Sequence, residues 1–175
     1  MTAQVEFHYD FGSPHCYFSH LVNKSPMEQF KEIPLKMDYM RLETKRFIEA
    51  HNLTKFHMNP NFPVNTVQIM RGALAAEKEG CADRYIDAVF TAMWEDGKKM
   101  DDPGVIQDVL NDAGLDAEKI MARTQDQDIK DTLINYTNSS VERGCFGAPM
   151  FFVGDEMFFG KDRLDTVEQE ILNQK

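Results

Sequence analysis

Basic residues are scarce. Lys and Arg number 19 against 29 Asp and Glu, which leaves 175 residues with a formal net charge of −10. A nucleic-acid surface needs clustered cations to displace condensed counterions, and the only basic pairs are Lys45-Arg46 and Lys98-Lys99, so a nucleic-acid partner is not expected. Long apolar runs are also missing. No segment approaches the roughly 18 residues of a membrane span, and the first residues carry no basic stretch followed by an apolar one, so the expectation is no membrane and no export signal. The chain ends Asn173-Gln174-Lys175, which is no peroxisomal address. Cysteine is limited to Cys16, Cys81 and Cys145, an odd set with no Cys-x-x-Cys. That speaks against a disulfide framework and fits a reducing, cytoplasmic compartment. His8, His20, His51 and His57 show no metal-ligand spacing, and no metal site is expected. There is no internal repeat and no low-complexity linker.

What remains is an ordinary globular composition, 42% hydrophobic and 27% charged, enough for a sizeable core. The hydrophobic period changes along the chain. Val5, Phe7, Tyr9 and Phe11 alternate and stop at Gly12, which predicts a strand entering a tight turn. Ser13-Pro14 has the form of an N-cap followed by proline at the first helical position, and predicts a helix to about Phe30. Residues 33–40, Ile33 to Met40, predict a second strand, parallel to the first through a right-handed crossover.

The middle reads as helix throughout. Tyr85, Ile86, Val89, Phe90, Met93 and Trp94 set a helical period over Ala82 to Asp96. A further helix starts at Asp102-Pro103 and ends at Gly114, Asp116 caps the next, and helices also fit Thr66 to Lys78 and roughly Gln125 to Glu142. Toward the end, Met150–Val153 and Glu156–Phe159 are apolar runs separated by Gly154-Asp155, the signature of an antiparallel hairpin. Leu164, Val167, Ile171 and Leu172 then stripe a last helix. Strand-helix-strand followed by strand-strand-helix is the order of the thioredoxin fold. The fold class is therefore α/β, a thioredoxin fold of residues 1–42 and 140–175 interrupted by an all-helical domain of 43–139.

The sharpest chemical signal is Asp10-Phe11-Gly12-Ser13-Pro14-His15-Cys16, which sets a hydroxyl and a thiol three apart where a helix begins after a strand. Exposed N–H groups and the helix dipole favour a thiolate there. A thiol-disulfide cycle needs two sulfurs, which Cys16 alone does not supply. Ser13 can instead donate its O–H to the sulfur of a bound small thiol. The plainer reading, in which Ser13 caps a helix and Cys16 is a small core residue, stands beside it. His15 is a candidate for polarising a substrate. Gly147-Ala148-Pro149-Met150 precedes a strand where a thioredoxin fold keeps a cis-proline, and there Ala148 would offer its backbone to an extended ligand.

Several segments in order, Tyr9-Asp10-Phe11-Gly12-Ser13-Pro14-His15, Phe62-Pro63-Val64-Asn65-Thr66, Phe90-Thr91-Ala92-Met93-Trp94, and Gly147-Ala148-Pro149 through Phe159-Gly160-Lys161-Asp162-Arg163-Leu164, resemble the 2-hydroxychromene-2-carboxylate isomerases and kappa-class glutathione transferases, a DsbA-like branch of thioredoxin folds. The resemblance implies glutathione as cofactor, its sulfur at Ser13 beside Pro14 and His15, its cysteinyl backbone at Ala148 and Pro149, and its γ-glutamyl end at Lys161 and Asp162. It places Asn65 and Cys16 toward a small aromatic or conjugated carbonyl substrate, and it allows a homodimer. Asn65 and Asp162 read equally well as helix caps. The activity implied is a glutathione-dependent isomerase or a kappa-type transferase. A DsbA-like thiol-disulfide oxidoreductase working through Cys16 and a non-catalytic thioredoxin-like binding module are the alternatives. Between Met40 and Phe62 the chain departs from the family pattern, which carries a longer glycine-containing loop there.

Overall fold

The structure, a computed structural model, describes residues 4–13 and 34–174. These fall into two compact units, one of residues 4–9, 34–56 and 147–174 and the other of 10–13 and 57–146. The expected helix after Ser13 lies outside the described residues.

The first unit holds a three-stranded antiparallel sheet, β1 (Val5–His8), β2 (Met150–Val153) and β3 (Glu156–Phe159), in the order β1-β2-β3. Val5 pairs with Val153 and His8 with Met150, while Met150 pairs with Phe159 across the hairpin. The hairpin turns at Gly154, whose φ of 60° is the left-handed conformation that glycine adopts freely. β2 is buried along its whole length. Phe151 and Val153 pack with Val167 of α7 (Leu164–Asn173), and Phe7, Phe158, Leu164 and Ile171 close around them. Burying this stripe on the sheet is what holds α7, at roughly 25 cal/mol per Å² of apolar surface removed from water.

Two expectations are corrected here. Of the expected strand of 33–40, residues 34–40 are helical: α1 runs Pro34–Ala50, with Leu35, Tyr39 and Leu42 at helical spacing, and Ile33 lies outside the described residues. The alternation of Leu35, Met37 and Tyr39 was compatible with a strand, but Leu, Lys, Met, Glu and Arg are good helix formers. Asp38–Arg41 at 2.8 Å, Glu43–Arg46 and Lys45–Glu49 also supply i,i+3 and i,i+4 pairs. Among the described residues the parallel pair is accordingly absent. Likewise β1 ends at His8, not Phe11, because Asp10 turns its carboxylate back onto the chain.

The second unit is helical: α2 (Val67–Lys78), α3 (Ala82–Trp94), α4 (Pro103–Asp112), α5 (Ala117–Arg123) and α6 (Gln127–Glu142). Asp102 caps α4 through Gly104 N and Val105 N, with Pro103 at its first turn, and Asp116 caps α5 through Lys119 N. The core is the face of α3 read from sequence, Tyr85, Val89, Phe90, Met93 and Trp94, together with Ile69, Met100, Ile106, Leu110, Ile120 and Ile129. At its surface Glu79 accepts from both Lys119 and Arg123, tying the C-terminal end of α2 to α5.

Candidate functional site

In the helical unit the candidate site is built from a four-residue turn, 10–13. Asp10 Oδ1 accepts from Gly12 N at 2.6 Å and the Asp10 carbonyl accepts from Ser13 N at 3.1 Å. This is the local bonding that suits Asp to the start of a turn. Phe11 is fully buried, its ring edge-on to Phe90 at 4.8 Å and Tyr85 at 6.1 Å between centroids. Its carbonyl accepts from Trp94 Nε1 at 3.0 Å. A Cβ on Gly12 would sit 3.0 Å from both Asp10 Oδ1 and Thr66 Cγ2, so any larger residue would have to push one of them aside by a few tenths of an ångström. Every residue of the turn is thus anchored, and Ser13 at its end is only 8% exposed. Pro14, His15 and Cys16 lie outside the described residues.

The turn meets a second segment of the same unit. Thr66 Oγ1 donates to Asp10 Oδ2 at 3.0 Å. The chain leading to Thr66 is itself pinned to the end of α3. His57 N donates to Trp94 O, and buried Asn59 donates through Nδ2 to Met93 O at 2.9 Å and Lys98 O at 2.8 Å. Asn61 bridges Asn59 Oδ1 and Gly97 O. The Phe62–Pro63 bond is cis, and the half-exposed Phe62 ring lies 6.0 Å from Trp94. Asn65 is exposed, and its Oδ1 accepts from Val67 N at 3.1 Å, one residue before the N-cap position of α2. Its backbone N–H donates to Asp101 Oδ2 at 3.5 Å, and the Asp101 carboxyl is held below the usual range by Lys99 and then by that backbone N–H.

In the sheet unit the Ala148–Pro149 bond is cis, as its position before β2 predicts, and the Pro149 carbonyl accepts from Gly160 N at 3.1 Å. Lys161 is buried, with Nζ 4.6 Å above the Phe47 ring of α1. Burial pushes its pKa down, and the charges of Asp162 and Glu43 oppose that shift. Asp162 is exposed and is not the cap of α7, a place taken by Arg163 without a side-chain hydrogen bond.

Ser13 and Asn65 therefore belong to the helical unit, and Ala148, Pro149, Lys161 and Asp162 to the sheet unit. Sequence reasoning quoted Asp10, Thr66 and Trp94 only as parts of motifs and missed Asn59. An Asp two before a Gly is a readable turn signal. Asn59 gave none, since its partners lie 34 and 39 residues away. Cys81 and Cys145 are free thiols, and burial raises the pKa of Cys145. Among the described residues, no cluster of three or more His, Cys, Asp or Glu is placed to hold a metal ion, and no helix is long and apolar enough to cross a membrane.

Comparison with known proteins finds that residues 4–172 match the model of the DSBA-like thioredoxin domain. A curated 2-hydroxychromene-2-carboxylate isomerase from Pseudomonas sp. (strain C18) is 25% identical over 194 residues, spanning 95% of this chain and 89% of that protein. The solved structure of a 2-hydroxychromene-2-carboxylate isomerase superposes with a TM-score of 0.80 at 22% identity, over 97% of this chain and 95% of that one. A cytosolic disulfide reductase, DsbM from Pseudomonas aeruginosa with GSH, superposes at 0.64 and 12% identity, over 97% and 96%. Likeness at these identities between structures establishes the fold.

Proposed function

The chain belongs to the DSBA-like thioredoxin domain family, and from that premise we propose that it is a glutathione-dependent isomerase of small aromatic or conjugated carbonyl compounds, acting in the cytoplasm where thiols stay reduced. The observation that carries the proposal is the anchored turn of 10–13, which ends in a hydroxyl and not in a thiol. A serine donates a hydrogen bond to a thiolate but forms no disulfide with it, so this residue fits a bound thiol that is used and returned unchanged. The relatives named 2-hydroxychromene-2-carboxylate isomerase support the same reading.

When bound, glutathione supplies a thiolate whose reversible addition to the conjugated system turns C=C into a single bond free to rotate, with the double bond restored as sulfur departs. Ser13 has two jobs. Its O–H would stabilise the anionic sulfur, which raises the fraction of the bound thiol present as thiolate near neutral pH and makes that sulfur a better leaving group on expulsion. No electrons are gained or lost overall, so no redox partner is required. A kappa-type conjugation would use the same serine.

The test is calorimetric titration of reduced glutathione into wild type and Ser13→Ala, with isomerisation of 2-hydroxychromene-2-carboxylate followed by absorbance. Binding is expected with a lowered thiol pKa. Ser13→Ala should raise that pKa by about one to two units, the equivalent of a charge-assisted hydrogen bond of roughly 1.5–3 kcal/mol. Absence of glutathione binding at millimolar concentration refutes the proposal. Loss of activity in Cys16→Ser with Ser13→Ala silent would transfer the chemistry to the thiol.

A further inference from the structure

Thr66 occupies the N-cap position of α2, where a threonine hydroxyl ordinarily accepts from a backbone N–H of the first turn. Here it makes no such bond. Asn65, one residue earlier, accepts from Val67 N, and the Thr66 hydroxyl is spent on Asp10 Oδ2, 56 residues away in sequence. The other oxygen of the same carboxylate holds Gly12 N, and the carbonyl of Asp10 holds Ser13 N. Asp10 is thus the junction of two segments. On one side is the serine turn; on the other is the chain of 57–66, clamped by His57 and Asn59 to the end of α3. Thr66 Cγ2 also closes the space over Gly12.

We propose that Asp10 and Thr66 form a latch that positions Ser13, so that the serine turn and the 62–66 segment are held as one rigid edge. The inference rests on the function proposed above and adds two positioning residues to it. Neither needs to touch the reacting atoms. The latch fixes the direction of the Ser13 hydroxyl, and a displacement of the order of 1 Å at such a group can cost about a hundredfold in rate.

Thr66→Val keeps the shape and removes the hydroxyl, Thr66→Ser keeps the hydroxyl, and Asp10→Ala removes the junction. With the latch, Thr66→Val lowers kcat at least tenfold with little change in KM for the carbonyl substrate and raises the pKa of bound glutathione. Thr66→Ser restores both. Adding Asp10→Ala to Thr66→Val then costs less than the two single losses combined, since both remove one interaction. A Thr66→Val protein with wild-type kcat and wild-type thiol pKa overturns the proposal. Should wild type bind no glutathione, the functional reading fails on its own, and amide exchange decides the latch. Faster exchange at Gly12 and Ser13 in Thr66→Val but not in Thr66→Ser upholds it, and equal protection in all three refutes it.

Discussion

Alanine at Gly72 should destabilise the helical unit although it replaces the poorest helix former of α2. In an exposed helix the change would gain about 1 kcal/mol. Gly72 is not exposed: a Cβ there would fall on the hydroxyl of Tyr85, 2.7 Å from its Cζ and 3.1 Å from Cε2. Tyr85 has nowhere to go, being 1% exposed, hydrogen-bonded through its hydroxyl to Ile69 O at 2.9 Å, and edge-on to Phe11. Displacing the ring costs about 1–3 kcal/mol as overpacking, and stranding its buried hydroxyl costs about 1–3 kcal/mol more. Set against the helix gain, the net loss is about 3 kcal/mol, or roughly 6–12 °C in Tm for a chain of this size. Urea and thermal denaturation followed by circular dichroism measure it. Tyr85→Phe removes the closest atom, so Gly72→Ala should cost less in that background, and the cycle should be non-additive. A Gly72→Ala protein as stable as wild type would show that the α2–α3 packing described here is wrong.

Trp94→Phe should cost about 0.5–1.5 kcal/mol, because it removes the indole hydrogen bond to the buried Phe11 carbonyl, and should also raise KM or lower kcat by loosening the serine turn; denaturation and kinetics together check it. Glu79 is held below its ordinary value of 4.5 by Lys119 and then Arg123. Its stabilisation is therefore complete above that value and lost as pH falls through the lowered one, so Glu79→Gln should flatten the acid limb of a stability–pH curve. Lys161 has the opposite sign. Its folded pKa lies below 10.5, so the unfolded chain holds the extra proton, and stability should rise with pH through the depressed value toward 10.5. Lys161→Met should abolish that rise in urea titrations from pH 7 to 10.5.

Legibility followed the range of the interaction. The β2–β3 hairpin was readable because its determinants are adjacent: two apolar runs and a glycine at φ 60°. The helices of the second unit were readable because a buried stripe repeats within one turn, as on α3. The 33–40 segment misled because Leu35, Met37 and Tyr39 satisfy period two while Leu35, Tyr39 and Leu42 satisfy a helical one. The helix also continues well past that window, to Ala50, where Glu43–Arg46 and Lys45–Glu49 add i,i+3 and i,i+4 pairs. The cis bond at Pro149 was inferred from fold position, whereas the one at Pro63 carried no comparable cue.

Phe11 makes the same point with consequences for function. Its apolarity extended the alternation of β1 and so suggested a strand, yet its ring belongs to the core of Phe90 and Tyr85 and its carbonyl to Trp94. The residue that carries the chain out of the sheet is therefore the one that fixes the serine turn. Asp10 and Gly12 shape the turn locally, but neither gives it an address in three dimensions. Burying Phe11 does, at about 1.5–3 kcal/mol for a side chain of this kind, and the indole N–H of Trp94 donates to its carbonyl. Ser13 thus sits where the helical unit holds it. Substitutions in the core of that unit, far in sequence from the serine, should consequently reach the proposed thiol chemistry through Phe11.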